Sequence, residues 1–226
     1  MDSPISHPTA RRTFLQRLSV GTLALMSGGA VARTASPGAA PAAPRLVTSG
    51  TDWLDRIRGE HRQVFDIVEP NNGLGAVYAL NYLDSYQRVH GLSGDDVTAV
   101  AVYRHNAMPL MLNDATWATY KIGEFLSVTD PETNAPATRN IFRTNIILRP
   151  GLTYEQMMAD RGVVVVACEM ALTVYSSLTA EAAGVSPEEA KADWEANLLD
   201  GAVLAASGVY AVDQAQQHGC SYCYAG

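Results

Sequence analysis

Lysine is nearly absent from this chain of 226 residues: Lys121 and Lys191 are the only two. The arginines are scattered and the formal net charge is −7, so no phosphate-neutralising surface is apparent, which argues against a nucleic-acid partner. Long hydrophobic runs are also missing. The longest weakly polar stretch, residues 18–32, is interrupted by Gly21, Gly28 and Gly29 and is too short for a bilayer-spanning helix, which excludes stable membrane insertion. There is no Walker A loop, no H-E-x-x-H and no G-x-S-x-G. Gly73-Leu74-Gly75 opens like a dinucleotide fingerprint, but Tyr78 stands where the third glycine belongs. Cysteine is limited to Cys168, Cys220 and Cys223, and no cofactor follows from any motif.

What is present is a chain with 47% apolar residues, enough to bury one sizeable core. Arg11-Arg12-Thr13-Phe14-Leu15 is followed by an apolar stretch ending Ala30-Val31-Ala32, the order of a signal peptide with an A-x-A cleavage site. The arginine pair resembles the twin-arginine signal, which implies export of a folded protein to the periplasm by the twin-arginine machinery. Cleavage after Ala32 removes Arg11, Arg12, Arg17 and Asp2 and leaves a net charge of about −9. Residues 33–62 read as a spacer and N-terminal extension, rich at first in alanine and proline.

From Gln63 to the end at Gly226, short apolar runs alternate with segments of helical period, the pattern of βα units on a mostly parallel sheet with helices on both faces. The fold class expected is α/β. A first strand is expected over 63–68, with Asn71 or Asn72 as N-cap of a helix whose apolar face runs from Leu74 to Val89 and which Gly91 ends. Residues 97–103 and 163–167 do not alternate, as strands covered on both faces should not. A second helix is expected broadly over 109–122. Residues 127–150 form an unusually long connection, to be read as a lid or an oligomer contact. Thr153 and Ser186 open capping boxes, the latter with Pro187 at the first helical position. A short strand (202–206), a helix (209–218) and a terminal strand (220–225) complete the chain.

Ligands of open parallel sheets bind at the carboxyl ends of the strands, where this sequence puts Asn71 and Asn72, His105 and Asn106, and Cys168 and Glu169. If the three strands are neighbours, these residues share one crevice. A helix N-terminus would then lower the Cys168 thiol pKa, against the opposing charge of Glu169. Each residue also has a plainer reading: Cys168 as a packed thiol, His105 as a hydrogen-bonded loop residue, and the asparagines as caps. His105, Met108 and Met111 recur every three residues, which would suit copper, although methionines so spaced are commonly core. The C-x-x-C pair Cys220 and Cys223 lacks the histidine of a haem site and the following helix of a thioredoxin site, and zinc would need more ligands, so no metal is expected there. In an oxidising compartment three cysteines cannot all pair within one chain. If the terminal strand breaks into a turn, Cys220 and Cys223 join and leave Cys168 reduced.

The buried strand Val163-Val164-Val165-Val166-Ala167-Cys168 and the C-terminal pattern from Gly208 through His218-Gly219-Cys220-Ser221-Tyr222 resemble the DsrE/DsrF-like family over residues 63–226. The resemblance implies a compact three-layer α/β fold, a homo-oligomer and, in some members, a cysteine that carries persulfide sulfur between proteins, a position that Cys168 matches; in one reading of the function Cys168 is such a nucleophilic thiolate, with His105 positioning or deprotonating it. Glu169-Met170-Ala171-Leu172 departs from the small turn expected beside such a cysteine, and the 127–150 loop and export are further departures. The alternative is a periplasmic module that binds a small molecule or metal without catalysis.

Overall fold

The computed structural model describes residues 51–144 and 146–226; the segment expected to be a signal peptide with its cleavage site, and residues 33–50, lie outside the described residues. Five strands form one sheet: β1 (His61–Ile67), β2 (Val97–Tyr103), β3 (Val164–Cys168), β4 (Val203–Ala205) and β5 (Ser221–Tyr224). Their order is β4-β3-β2-β1-β5, and every pairing is parallel. As expected, the first and third strands flank the second. All seven residues of β2 and all five of β3 are buried, which is why neither alternates polar with apolar.

Alternate residues of the strands build two cores. One face carries Val64, Val100, Val102, Val164 and Val166, covered by helix α7 (Gly208–Gln217) through Ala211 and Ala215. Trp53, Leu54 and Ile57 are buried in the same core, so the N-terminal extension belongs to the packed fold from its 3-10 turn Asp52–Arg56 onward. The other face carries Phe65, Ile67, Ala99, Ala101, Tyr103 and Val165 under α1 (Leu74–His90), α4 (Tyr154–Arg161), α5 (Glu169–Ala183) and α6 (Pro187–Ala196). The result is a three-layer α/β sandwich. Thr153 and Ser186 form complete capping boxes, and Gly91 ends α1 with a left-handed φ of 71°.

Three expectations are corrected. The single helix over 109–122 is instead a 3-10 turn, His105–Met111, followed by two short helices, α2 (Asp114–Thr119) and α3 (Ile122–Leu126). Pro109 cannot donate to an α-helical ladder, and the chain is extended at Leu112 before Asn113 caps α2 by accepting from Thr116 N–H. The carbonyls freed by this break are satisfied at long range: the buried Asn140 Nδ2 donates to the oxygens of Leu110 and Leu112, both at 2.8 Å. Asn140 belongs to the 127–150 connection, which is therefore no detached lid. Ala137, Phe142 and Ile146 are buried in the core, and a two-residue hairpin, Thr129–Asp130 with Ala135–Pro136, is tied down by Arg139 on Asp130. The third correction concerns the terminal strand, which stays regular and pairs with β1 without breaking into a turn. Cys220 is buried in the α7-side core and Cys223 packs on the opposite core, so the expected Cys220–Cys223 disulfide is not formed and all three thiols are free.

Candidate functional site

The connection after β3 enters α5 on one face of the sheet, whereas the connection after β4 enters α7 on the other. Adjacent parallel strands whose connections diverge in this way leave a crevice at their carboxyl ends, the topological switch point. Cys168, paired in register with Ala205, closes β3 at that point.

Cys168 is also the N-cap of α5. Its Sγ accepts the Ala171 backbone N–H at 3.3 Å, the role a serine or aspartate oxygen usually fills. The residue is only 5% exposed. Glu169, expected to oppose a thiolate, is turned to α6, where Lys191 Nζ lies 3.3 Å away and also engages Glu195. That pairing partly offsets its charge.

The loops after β1 and β2 meet around Glu69. Its Oε2 accepts Asn106 Nδ2 at 2.8 Å, its Oε1 lies 3.4 Å from His105 Nδ1, and Asn106 Oδ1 accepts the Tyr175 hydroxyl at 2.8 Å. The His105 ring meets Tyr175 edge to face at 6.1 Å. His105 has φ 51°, a left-handed conformation that costs a non-glycine residue energy and persists only where the surroundings hold it. Here the holding bonds are Ala107 N–H to the Val68 and Arg104 carbonyls, both 3.1 Å. Burial pushes the Tyr175 phenol up to about 12, and the negative charges of Glu69 and Cys168 push the same way, so Tyr175 lies within electrostatic reach of both. His105, Asn106 and Cys168 follow or end parallel strands at the carboxyl edge of the sheet, and Tyr175 contacts the first two.

Asn71 and Asn72 are exposed on the rim of that edge but do not cap α1. Both take left-handed conformations, with φ 40° and 53°, and Gly73, at φ 79°, is the N-cap without any side-chain bond. The copper reading fails on burial: Met108 and Met111 are in the core, while His105 is 40% exposed. Among the described residues no three His, Cys, Asp or Glu side chains form a group able to hold a metal, and no helix is long and apolar enough to cross a membrane.

A buried carboxylate holding a half-buried cation is the feature that sequence reasoning missed. Asp66, 3% exposed in β1, accepts Arg104 Nε at 2.6 Å and Nη2 at 2.9 Å, and also the Tyr222 hydroxyl at 2.9 Å. The Asp66 hydrogen bonds and charge hold the Arg104 guanidinium firmly protonated. The N-terminus of α7 comes so near that a Cβ on Gly208 would lie 2.4 Å from Arg104 Cβ. A charged residue inside the apolar run Val64–Ile67 was the available signal, because a carboxylate there needs a partner. Glu69 and Tyr175 gave weaker signals, since their partners lie 37 and 69 residues away from them in the chain. Comparison of the chain with family models, with curated proteins and with solved structures finds no match.

Proposed function

We propose that this protein is an exported sulfur carrier in which Cys168 accepts and donates sulfane sulfur. The observation that carries the reading is the position of the thiol at the switch point, capping α5 with the Ala171 N–H aimed at its sulfur. A helix N-terminus favours negative charge, and the Arg104 guanidinium is electrostatically coupled to Cys168. His105, beside Glu69, takes up the thiol proton. The Cys168 thiolate then attacks the outer sulfur of a donor persulfide R–S–SH. A new S–S bond forms to Cys168 as the donor's S–S bond breaks, the donor leaves as the thiolate R–S⁻, and Cys168 carries the S–SH group. Donation is the reverse displacement by an acceptor thiolate, so no separate oxidant or reductant is consumed. Asn71, Asn72 and Asn106 bind the donor at the rim.

The resemblance of 163–168 and 208–222 to the DsrE/DsrF-like family supports this chemistry and a homo-oligomeric state, and Arg11-Arg12 ahead of an apolar segment supports twin-arginine export to the periplasm. The 5% exposure of Cys168 favours a second reading, a non-catalytic module whose crevice holds a small molecule beside a packed thiol. Rates of iodoacetamide labelling against pH separate the two. A native-state rate that levels off at a pH below the ordinary thiol range supports the carrier; labelling that appears only on unfolding supports the binding module. Lysine at both Arg11 and Arg12 should block arrival in the periplasm, and undiminished arrival would remove the twin-arginine reading.

A further inference from the structure

The opposite, amino-terminal end of the sheet carries an open cleft of about 530 Å³, within the roughly 300–1,000 Å³ usual for small-molecule sites. It lies between the segment entering β1, the turn before β2, the outer side of α1 and the end of α4, so it shares no residue with the crevice at Cys168. Three guanidinium groups line it: Arg56, Arg58 and Arg161.

These three cations are not equally engaged. Arg161 Nη2 is held by Asp84 Oδ1 at 2.5 Å. The Arg58 main chain is fixed on both sides by Thr98, whose Oγ1 accepts from Arg58 N–H at 3.0 Å and donates to the Arg58 carbonyl at 2.7 Å. Its side chain is looser, with Nε on the Asp55 carbonyl and Nη1 3.8 Å from the exposed Asp95. The Arg56 side chain, on a residue exposed to solvent at the cleft, has no hydrogen bond or ion pair among the described residues. Four other arginines are committed to carboxylates, Arg104 to Asp66, Arg139 to Asp130, Arg143 to Glu155 and Arg149 to Asp84, while Arg62 donates to the Gly59 and His218 carbonyls. A guanidinium without a counter-charge leaves its fork of donors open, and a carboxylate or phosphate can satisfy two of them at once.

We infer that this cleft is a second binding site, which takes a small polar molecule through a single carboxylate or phosphate group at Arg56 and Arg58. Asp95 and Asp160, also in the lining, repel a polyanion and so limit the ligand to one such group. Their oxygens accept hydrogen bonds from hydroxyl or ammonium groups on its body, and the half-buried Leu83 supplies an apolar wall. The anchoring group has two sources, an organic carboxylate or a phosphate, and the test distinguishes them.

The full chain, labelled with ¹⁵N, is titrated with glycolate in one series and inorganic phosphate in another while the arginine Nε–H and backbone amide signals are followed. The inference expects saturable shifts at Arg56, Arg58 and Gly94 in at least one series, and the series that saturates at lower concentration names the anchoring group. Arg56→Gln should weaken that binding about tenfold, Arg58→Gln should weaken it too, and Arg88→Gln, a change on the exposed end of α1, should leave it unchanged. Absence of saturation in both series, or saturation undiminished in both Arg56→Gln and Arg58→Gln, overturns the site.

Discussion

Replacing Arg104 by methionine should be among the most damaging single changes near the crevice. Asp66 is 3% exposed and takes three hydrogen bonds, two of them from Arg104; the variant would leave a buried carboxylate with the Tyr222 hydroxyl alone. Breaking a buried ion pair from one side costs about 3–5 kcal/mol, and because Arg104 is itself 27% exposed, water reaches the gap and the lower end, about 3 kcal/mol, applies. In a domain of this size that lowers the melting temperature by roughly 6–12 °C. Urea unfolding followed by circular dichroism gives the free energy directly. Pairing Arg104→Met with Asp66→Leu removes both charges and should recover most of the loss, since well-packed apolar replacements of buried pairs are often near neutral. A loss under about 1 kcal/mol for Arg104→Met, or a double variant no more stable than the single one, would refute the buried-pair argument.

Other expectations follow from close contacts and burial. Gly208→Ala places its methyl 2.4 Å from Arg104 Cβ and should cost about 1–3 kcal/mol in the same urea assay. Asn140→Ala strands the carbonyls of Leu110 and Leu112 in the core and should cost about 2–3 kcal/mol, with cleavage by a nonspecific protease appearing first within 127–150. Stability should fall as pH rises above about 9, because burial raises the Cys220 thiol from 9.0 to about 11 and the Tyr154 phenol from 10.0 to about 12. The unfolded chain loses these protons first, so alkali favours unfolding, and thermal melts in a pH series check the sign.

The parts of the fold that local chemistry determines were legible in the sequence. Val97–Tyr103 reads as a central strand because nothing polar interrupts it but Thr98, and Ser186-Pro187 with Glu189 states a helix start in four residues. What was not legible depends on distant partners. Pro109 announces a break, but where the helices resume is decided by Asn140, which reaches back to Leu110 and Leu112 from the 127–150 connection. Trp53 and Leu54 looked like part of a spacer because a short 3-10 turn has too few residues to show a period, and only the valine face of the sheet makes them core. At the crevice, residue types at strand ends pointed to His105, Asn106 and Cys168, whereas Tyr175 and Arg104 carry no local signal and matter only through partners far away in the chain. Cys220 and Cys223 were read together because they are near in sequence, yet the pleat sends them to opposite cores.

The central claim, that Cys168 carries sulfur, is tested most directly by intact-protein and peptide mass spectrometry after incubation of the protein with a low-molecular-weight persulfide donor. The account predicts the mass of one added sulfur atom on the peptide containing Cys168, released by a thiol reductant and lost in Cys168→Ala, while the buried Cys220 stays unmodified. Added sulfur on Cys223 alone, or none on Cys168 while the fold is intact, would contradict it.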